Sequence, residues 1–215
     1  MTTHDPRLRP RFRGVTHEWA FFASTGVGAA LIVSASGARA TVSAAIFAGS
    51  VAAMFGASAL YHRVTWRPSV RRWMRRLDHA MIFVLIAGTY TPFALLAFDD
   101  GVGRALLIAV WTGAGGGVAL KLLWIDAPKW LGVVVYVGLG WVAIWTFPAL
   151  ADALGIVPTV LVGLGGLLYT TGAVIYATRR PDPAPAVFGY HEVFHLLVVI
   201  AAALQYAVVV FWVLL

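Results

Sequence analysis

The sequence predicts an all-α integral membrane protein, a bundle of seven transmembrane helices with the N-terminus cytoplasmic and the C-terminus outside. Three observations carry this expectation. Of the 215 residues, 60% are hydrophobic and 12% charged, and the mean hydropathy is +0.83, beyond the range of ordinary soluble domains. Apolar runs of the ~20 residues needed to cross ~30 Å of hydrocarbon as helix recur along the chain and leave no stretch for a soluble domain. The basic residues fall on alternate connections, the pattern of cytoplasmic loops.

The apolar runs lie at about 18–36, 41–62, 77–98, 102–123, 131–150, 156–178 and 191–214. The first follows the polar, basic segment MTTHDPRLRPRFRGVTHEWA and lacks a clear small-residue cleavage site, so it is expected to stay as a span. The second and fourth carry small residues at four-residue spacing, Gly49 and Ala53, Ala52 and Gly56, Gly113 and Gly117, which let helices approach closely in lipid. The GAGGG around Gly115 lacks the Lys-Ser/Thr of a phosphate loop and reads as packing. The third contains Pro92 in GTYTPF and the fifth ends near Pro148. Both prolines are expected to kink their helices, which neighbours in a bundle tolerate. The sixth is apolar almost throughout, and the seventh opens on HEVFH. No strong internal repeat is visible, which argues against a transporter built from inverted halves. Residues 1–215 therefore read as a single seven-helix transmembrane domain.

The net charge of +7 would fit a nucleic-acid partner, but its distribution does not. With the N-terminus cytoplasmic, every basic residue except Arg39 and Arg104 falls on the cytoplasmic side, while Asp99, Asp100 and Asp152 fall on the other. The charge therefore marks topology, and no nucleic acid is expected. The loop RVTWRPSVRRWMRR offers, in addition, a contact for anionic lipid headgroups. The absence of cysteine excludes disulfides and thiolate ligands, leaving histidine, carboxylate and water for any transition metal.

Few ionisable side chains enter the spans. Ser58 and His62 close the second in SALYH, Asp78 and His79 open the third in LDHAMIF, and His191, Glu192 and His195 open the seventh. His17 and Glu18 open the first. Alternating topology puts all of these at the cytoplasmic end. Ser58 and His62 are four residues apart, as are His191 and His195, so each pair projects from one helical face. Any one such residue reads most simply as reaching the interface. His62, Asp78, His191 and His195 together read as a metal site, because three histidines plus an open position filled by water form a catalytic zinc arrangement. His17 is expected at the interface as a helix-start residue. His79 lies about 100° from Asp78 on an ideal helix and reads as structural or supporting.

HEVFH also has the letters of the zinc-protease signature, in which two histidines one turn apart bind the metal and the glutamate is the base. That class needs a third ligand, often a downstream acid or histidine. After His195 the chain offers LLVVIAAALQYAVVVFWVLL, with neither. An upstream Asp78 is one substitute, and His62 the better one. Glu192, about 100° round the helix from His191, is expected to point away from the ligand face towards the cytoplasmic boundary.

RGVTHEWAFF, SALYHR, RRLDHAMIFVLIAGTYTPFALL and GYHEVFHLLVV, in this order along the seven runs, resemble the hemolysin III proteins, bacterial relatives of the adiponectin and progestin receptors and more distantly of alkaline ceramidases. The resemblance implies Zn2+ held by His62, His191 and His195, with Asp78 hydrogen-bonding the water on the metal and Ser58 beside it. The Asp78-His79 pair and the short N-terminus look like the bacterial branch and not the hormone receptors. The function so implied is a zinc-dependent lipid hydrolase of the bacterial cytoplasmic membrane, ceramidase-like, with membrane lipid as environment and substrate. Asp78 would accept a proton, and Ser58 would steady the oxyanion or the water. The rival readings are a pore-forming or haemolytic protein and a membrane sensor with a structural zinc.

Overall fold

The computed structural model describes residues 10–214, all helical apart from turns and one isolated bridge between Ala184 and Phe188. Arg7, Arg9 and Leu215 lie outside the described residues. The helices are α1 (Val15–Ser34), α2 (Ala38–Arg63), α3 (Pro68–Pro92), α4 (Asp100–Leu123), α5 (Lys129–Gly140), α6 (Phe147–Leu154), α7 (Ile156–Thr178) and α8 (Tyr190–Val208). α3 and α8 each run on into a wider π turn, Phe93–Ala97 and Val209–Leu214, and a 3-10 stretch, Val142–Thr146, joins α5 to α6.

Among the described residues, 6 helical segments are long and apolar enough to cross a membrane: Ala38–Arg63, Pro68–Ala97, Asp100–Leu123, Trp130–Leu154, Ile156–Thr178 and Tyr190–Leu214. α1, with 20 residues, is less apolar, because His17 and Glu18 occupy its first turn and Ser24, Thr25 and two glycines dilute its middle. The outer face of α7 bears Val157, Val160, Leu164, Leu167 and Val174, all exposed. A soluble bundle would carry charge on such a stripe; an apolar one is suited to lipid.

The run of residues 77–98 begins earlier than hydropathy shows. Pro68 stands in the first turn of α3, where its missing N–H costs nothing, and the basic stretch Arg71–Arg76 is already helical. Hydropathy tracks the lipid-crossing part of a helix and misses a polar extension. At the other end Pro92 closes α3 and the π turn follows, accommodating the ring without ending the segment. In the fifth segment the break precedes Pro148: α5 stops at Gly140, and Pro148 sits in the first turn of α6, a position that suits it.

Several neighbouring helices pack at close range. Gly88 of α3 lies so near α2 that a Cβ there would meet Ser50 Oγ at 2.0 Å. Of the small residues expected at contacts, Gly56 packs on Phe21, Gly113 on Leu139 and Gly117 on Phe83, whereas Gly49 and Gly115 face open space. One buried cluster, including Phe47, Val51, Leu85, Val198 and Val208, joins α2, α3 and α8. A second, around Phe83, Leu106, Val110 and Ala143, joins α3 and α4 to the α5–α6 segment. The alternation brings the N-terminal ends of α1, α3 and α8 to the same end of the bundle as the C-terminal end of α2.

Candidate metal centre

Ser58 and His62 stand in the last turns of α2 and share a face by their four-residue spacing; both are buried. His191 and His195 project from the first turns of α8 towards them. Nε2 of His62 and Nε2 of His191 are 3.3 Å apart, and one ligand atom from each of His62, His191 and His195 lies within 4.8 Å of the others. Two Zn–N bonds of ~2.0–2.1 Å at a tetrahedral angle separate their nitrogens by about 3.4 Å, so the His62–His191 pair already stands at the spacing a shared ion requires. These three residues can hold a metal ion.

Asp78, from α3, places Oδ2 3.9 Å from His62 Nε2. Its carboxylate also lies beside the Ser58 hydroxyl. His79 donates Nδ1–H to the Arg75 carbonyl one turn earlier, at 2.8 Å, and the same nitrogen is 3.4 Å from Asp78 Oδ2.

His17 is not at the interface. It is buried, hydrogen-bonded through Nδ1 to Ser58 Oγ at 2.8 Å, and stacked on His195 with ring centroids 3.8 Å apart. The cause is the approach of α1 to α2. Gly14 has φ +80°, a conformation glycine adopts without strain, and a Cβ there would lie 2.6 Å from His62 Cβ. The turn before α1 is thereby pressed against the site and carries His17 inward. An ionised carboxylate accepts only; with Asp78 in that form Ser58 donates to it and His17 Nδ1–H donates to Ser58.

Glu192 does face away from the ligands, but it is buried instead of reaching the boundary, with 1% exposure. Arg13 Nε donates to its Oε1 at 2.5 Å, and the Gly189 N–H at the start of α8 donates to its Oε2 at 2.9 Å. Both oxygens are engaged by these donors. Two further backbone bonds, Arg11 N–H to Ala186 and Phe12 N–H to Val187, each 3.1 Å, clamp the N-terminal segment over the loop before α8. His17, expected at the interface, and Arg13, expected only as a cytoplasmic charge, are the residues that sequence reasoning left out of the site. Their signal was the run RFRGVTHE, in which a polar stretch continues up to an apolar span.

Of the basic connection, Arg72 and Arg75 both pair with Asp126, at 2.7 and 3.2 Å. The Arg72 hydrogen bond, assisted by both guanidinium charges, holds the Asp126 carboxyl below the usual carboxylate range. These two arginines tie α3 to the α4–α5 loop at the same end of the bundle as the histidines.

From the histidines a cavity of about 130 Å³ runs between α3, α5, α7 and α8. Ser58, Asp78, His191 and His195 line one end, and its walls are otherwise mostly apolar, among them Ile86, Val137 and Val198.

Fold and site together define a multi-pass membrane protein with a buried histidine cluster opening on an apolar cavity. The chain belongs to the Haemolysin-III related family, whose family model matches residues 7–206. It is 32% identical to the Hemolysin-3 homolog of Bacillus subtilis over 171 residues, 80% of this chain and 77% of that one. It is 31% identical to Hemolysin-3 of Bacillus cereus over 177 residues, 82% and 78% of the two chains. A more distant likeness, 24% over 169 residues, covers 77% of this chain and 68% of the human monocyte to macrophage differentiation factor.

Proposed function

We propose that the protein is a zinc-dependent hydrolase of a membrane lipid, acting at an amide, within a single seven-span domain whose site faces the cytoplasm. The observation that carries this reading is the set of three histidine nitrogens within 4.8 Å of one another, with a carboxylate beside them at one end of an apolar cavity. Zinc held by His62, His191 and His195 would polarise a carbonyl and acidify a water to a pKa of about 7.

The chain's own residues supply the rest. Asp78, 3.9 Å from the nearest ligand nitrogen, is set one step outside the ligand shell, where it accepts the proton of the attacking water. Ser58, held between His17 and Asp78, keeps the carboxylate turned inward. The apolar walls take the acyl chain and exclude bulk water from the carbonyl. The orientation follows from charge: Arg63, Arg67, Arg71, Arg72, Arg75 and Arg76 all sit at the end of the bundle that holds the histidines, and basic connections stay cytoplasmic.

The test is incubation of the purified protein with long-chain ceramides and other N-acyl lipids, with and without chelator. Chelator-sensitive release of fatty acid is the expected result. Solute flux from liposomes without hydrolysis would replace this reading with a pore.

A further inference from the structure

Beside the cavity at the histidines lies a second space of about 60 Å³ whose lining holds no histidine, the two sharing wall residues Leu85, Ile86, Trp141 and Tyr169. This second space is apolar around Phe93, Phe147 and Val162, with two exceptions. Gln205 of α8 is 5% exposed and donates Nε2–H to the Val162 carbonyl at 3.1 Å. That bond fixes the orientation of the amide, and it leaves Oε1 without a partner among the described residues. The Tyr169 hydroxyl is likewise buried without a partner among them. Other polar groups around this space are satisfied: Thr89 donates to the Leu85 carbonyl, Tyr90 to Gly140 and Trp141 Nε1 to Thr170. Gly165 is what seats the carboxamide, since a Cβ there would lie 2.6 Å from Gln205 Nε2.

Buried polar atoms are as a rule paired. Gln205 Oε1 can only accept, and the Tyr169 hydroxyl has a proton to give. A hydroxyl placed between them answers both, donating to the first and accepting from the second, in the way a single water would. Gln205 follows His195 by ten residues on one helix, a rise of ~15 Å. An extended chain advances ~3.3–3.6 Å per three bonds, so a chain whose carbonyl lies at the histidines reaches this level after roughly a dozen bonds.

We propose that Gln205 and Tyr169 form a hydroxyl-binding subsite along the acyl path, ~15 Å from the histidines, selecting chains hydroxylated about twelve carbons from the carbonyl. The proposal rests on the lipid reading above and narrows its substrate class. Selectivity of this kind is physically reasonable, because a site built to hydrogen-bond a hydroxyl is left with unpaired buried groups by an analogue that lacks it.

The experiment is competitive displacement of a fluorescent fatty acid from the purified full-length protein by stearic, 2-hydroxystearic and 12-hydroxystearic acids. These are product-like and cannot be turned over. The expected result is affinity for the 12-hydroxy acid at least about fivefold above that for the other two, with that ratio falling towards one in Tyr169→Phe and in Gln205→Leu. Tyr169→Phe removes one oxygen and keeps the ring, so it remains informative if Gln205→Leu fails to fold. Equal affinity for all three acids in the unaltered protein, or a preference that survives both substitutions, overturns the subsite while leaving acyl binding and hydrolysis standing. Failure of the probe and every acid to bind removes the acyl cavity, and the subsite with it.

Discussion

The imidazole of His17 lies flat on that of His195, ring centroids 3.8 Å apart and planes 6° from parallel. One histidine opens the first helix and the other is a ligand candidate on the last. The stack, with the hydrogen bond from His17 to Ser58, fixes the rotation of a ring that must present one nitrogen to a metal. Removing groups that orient a ligand typically costs 10–100-fold in metal affinity. His17→Ala should therefore weaken zinc binding about tenfold, read by competition with a chelator, while His17→Phe, which keeps a stacking surface, loses less. Equal affinity in His17→Ala and the unaltered protein would sink this role.

Zinc should bind at one ion per chain. His62→Ala removes the α2 contribution, and elemental analysis of the purified variant should show most of the metal gone. Undiminished zinc would mean that the ligand set excludes His62.

Glu192 and Asp78 separate two mechanisms. Because both Glu192 oxygens are bonded to Arg13 and Gly189, Glu192→Gln should change turnover per bound zinc by less than tenfold, within about 1.4 kcal/mol of transition-state free energy. It should nevertheless lower stability by about 2 kcal/mol, less than the ~3–5 of a fully buried broken pair, since the Arg13 side chain is 21% exposed. Asp78→Asn should do the reverse, keeping the fold and costing far more than tenfold in turnover, because an amide cannot take the proton. A dead Glu192→Gln beside an active Asp78→Asn would reopen the protease-like assignment.

Gly14→Ala should damage the site from outside it. Alanine is strained at φ +80°, by about 1–3 kcal/mol, and its Cβ would press on His62 Cβ at 2.6 Å. Loss of zinc affinity with the helices intact by circular dichroism is the expected result. Gly49→Ala serves as the control, since nothing lies within 4 Å of a Cβ there.

Reporter fusions test the orientation. A fusion in the connection of residues 64–67 should report the cytoplasm, and one after Leu215 the opposite side. A cytoplasmic C-terminus would remove the argument that the site faces inward.

Much of the site was legible because polar residues stand out against apolar helices. The four-residue pairs Ser58 with His62 and His191 with His195 could be placed on single faces from helix geometry alone, and alternating topology brought them and Asp78 to one end. The burial of His17 and Glu192 was not legible in that way. Each lies in the first turn of a helix, a place where hydropathy cannot distinguish a side chain that faces the headgroups from one that faces the bundle. The early start of α3 and the break after Gly140 escaped for a related reason: hydropathy averages over a window, and helix starts and breaks depend on single residues.

The chain's composition and periodicity by themselves determined an all-helical membrane protein, the alternation of its connections and the candidate ligand pairs, because lipid forces every backbone polar group into helix and makes each intruding charge conspicuous. Only the tertiary structure decided which of those charges meet. Whether Glu192 finds Arg13, 179 residues away, or His17 finds Ser58, 41 away, depends on how closely α1 approaches α2 and where the N-terminal segment crosses α8. Those are consequences of packing in three dimensions, set here by Gly14 and by the backbone bonds of Arg11 and Phe12 to the loop before α8, and local periodicity carries no information about them.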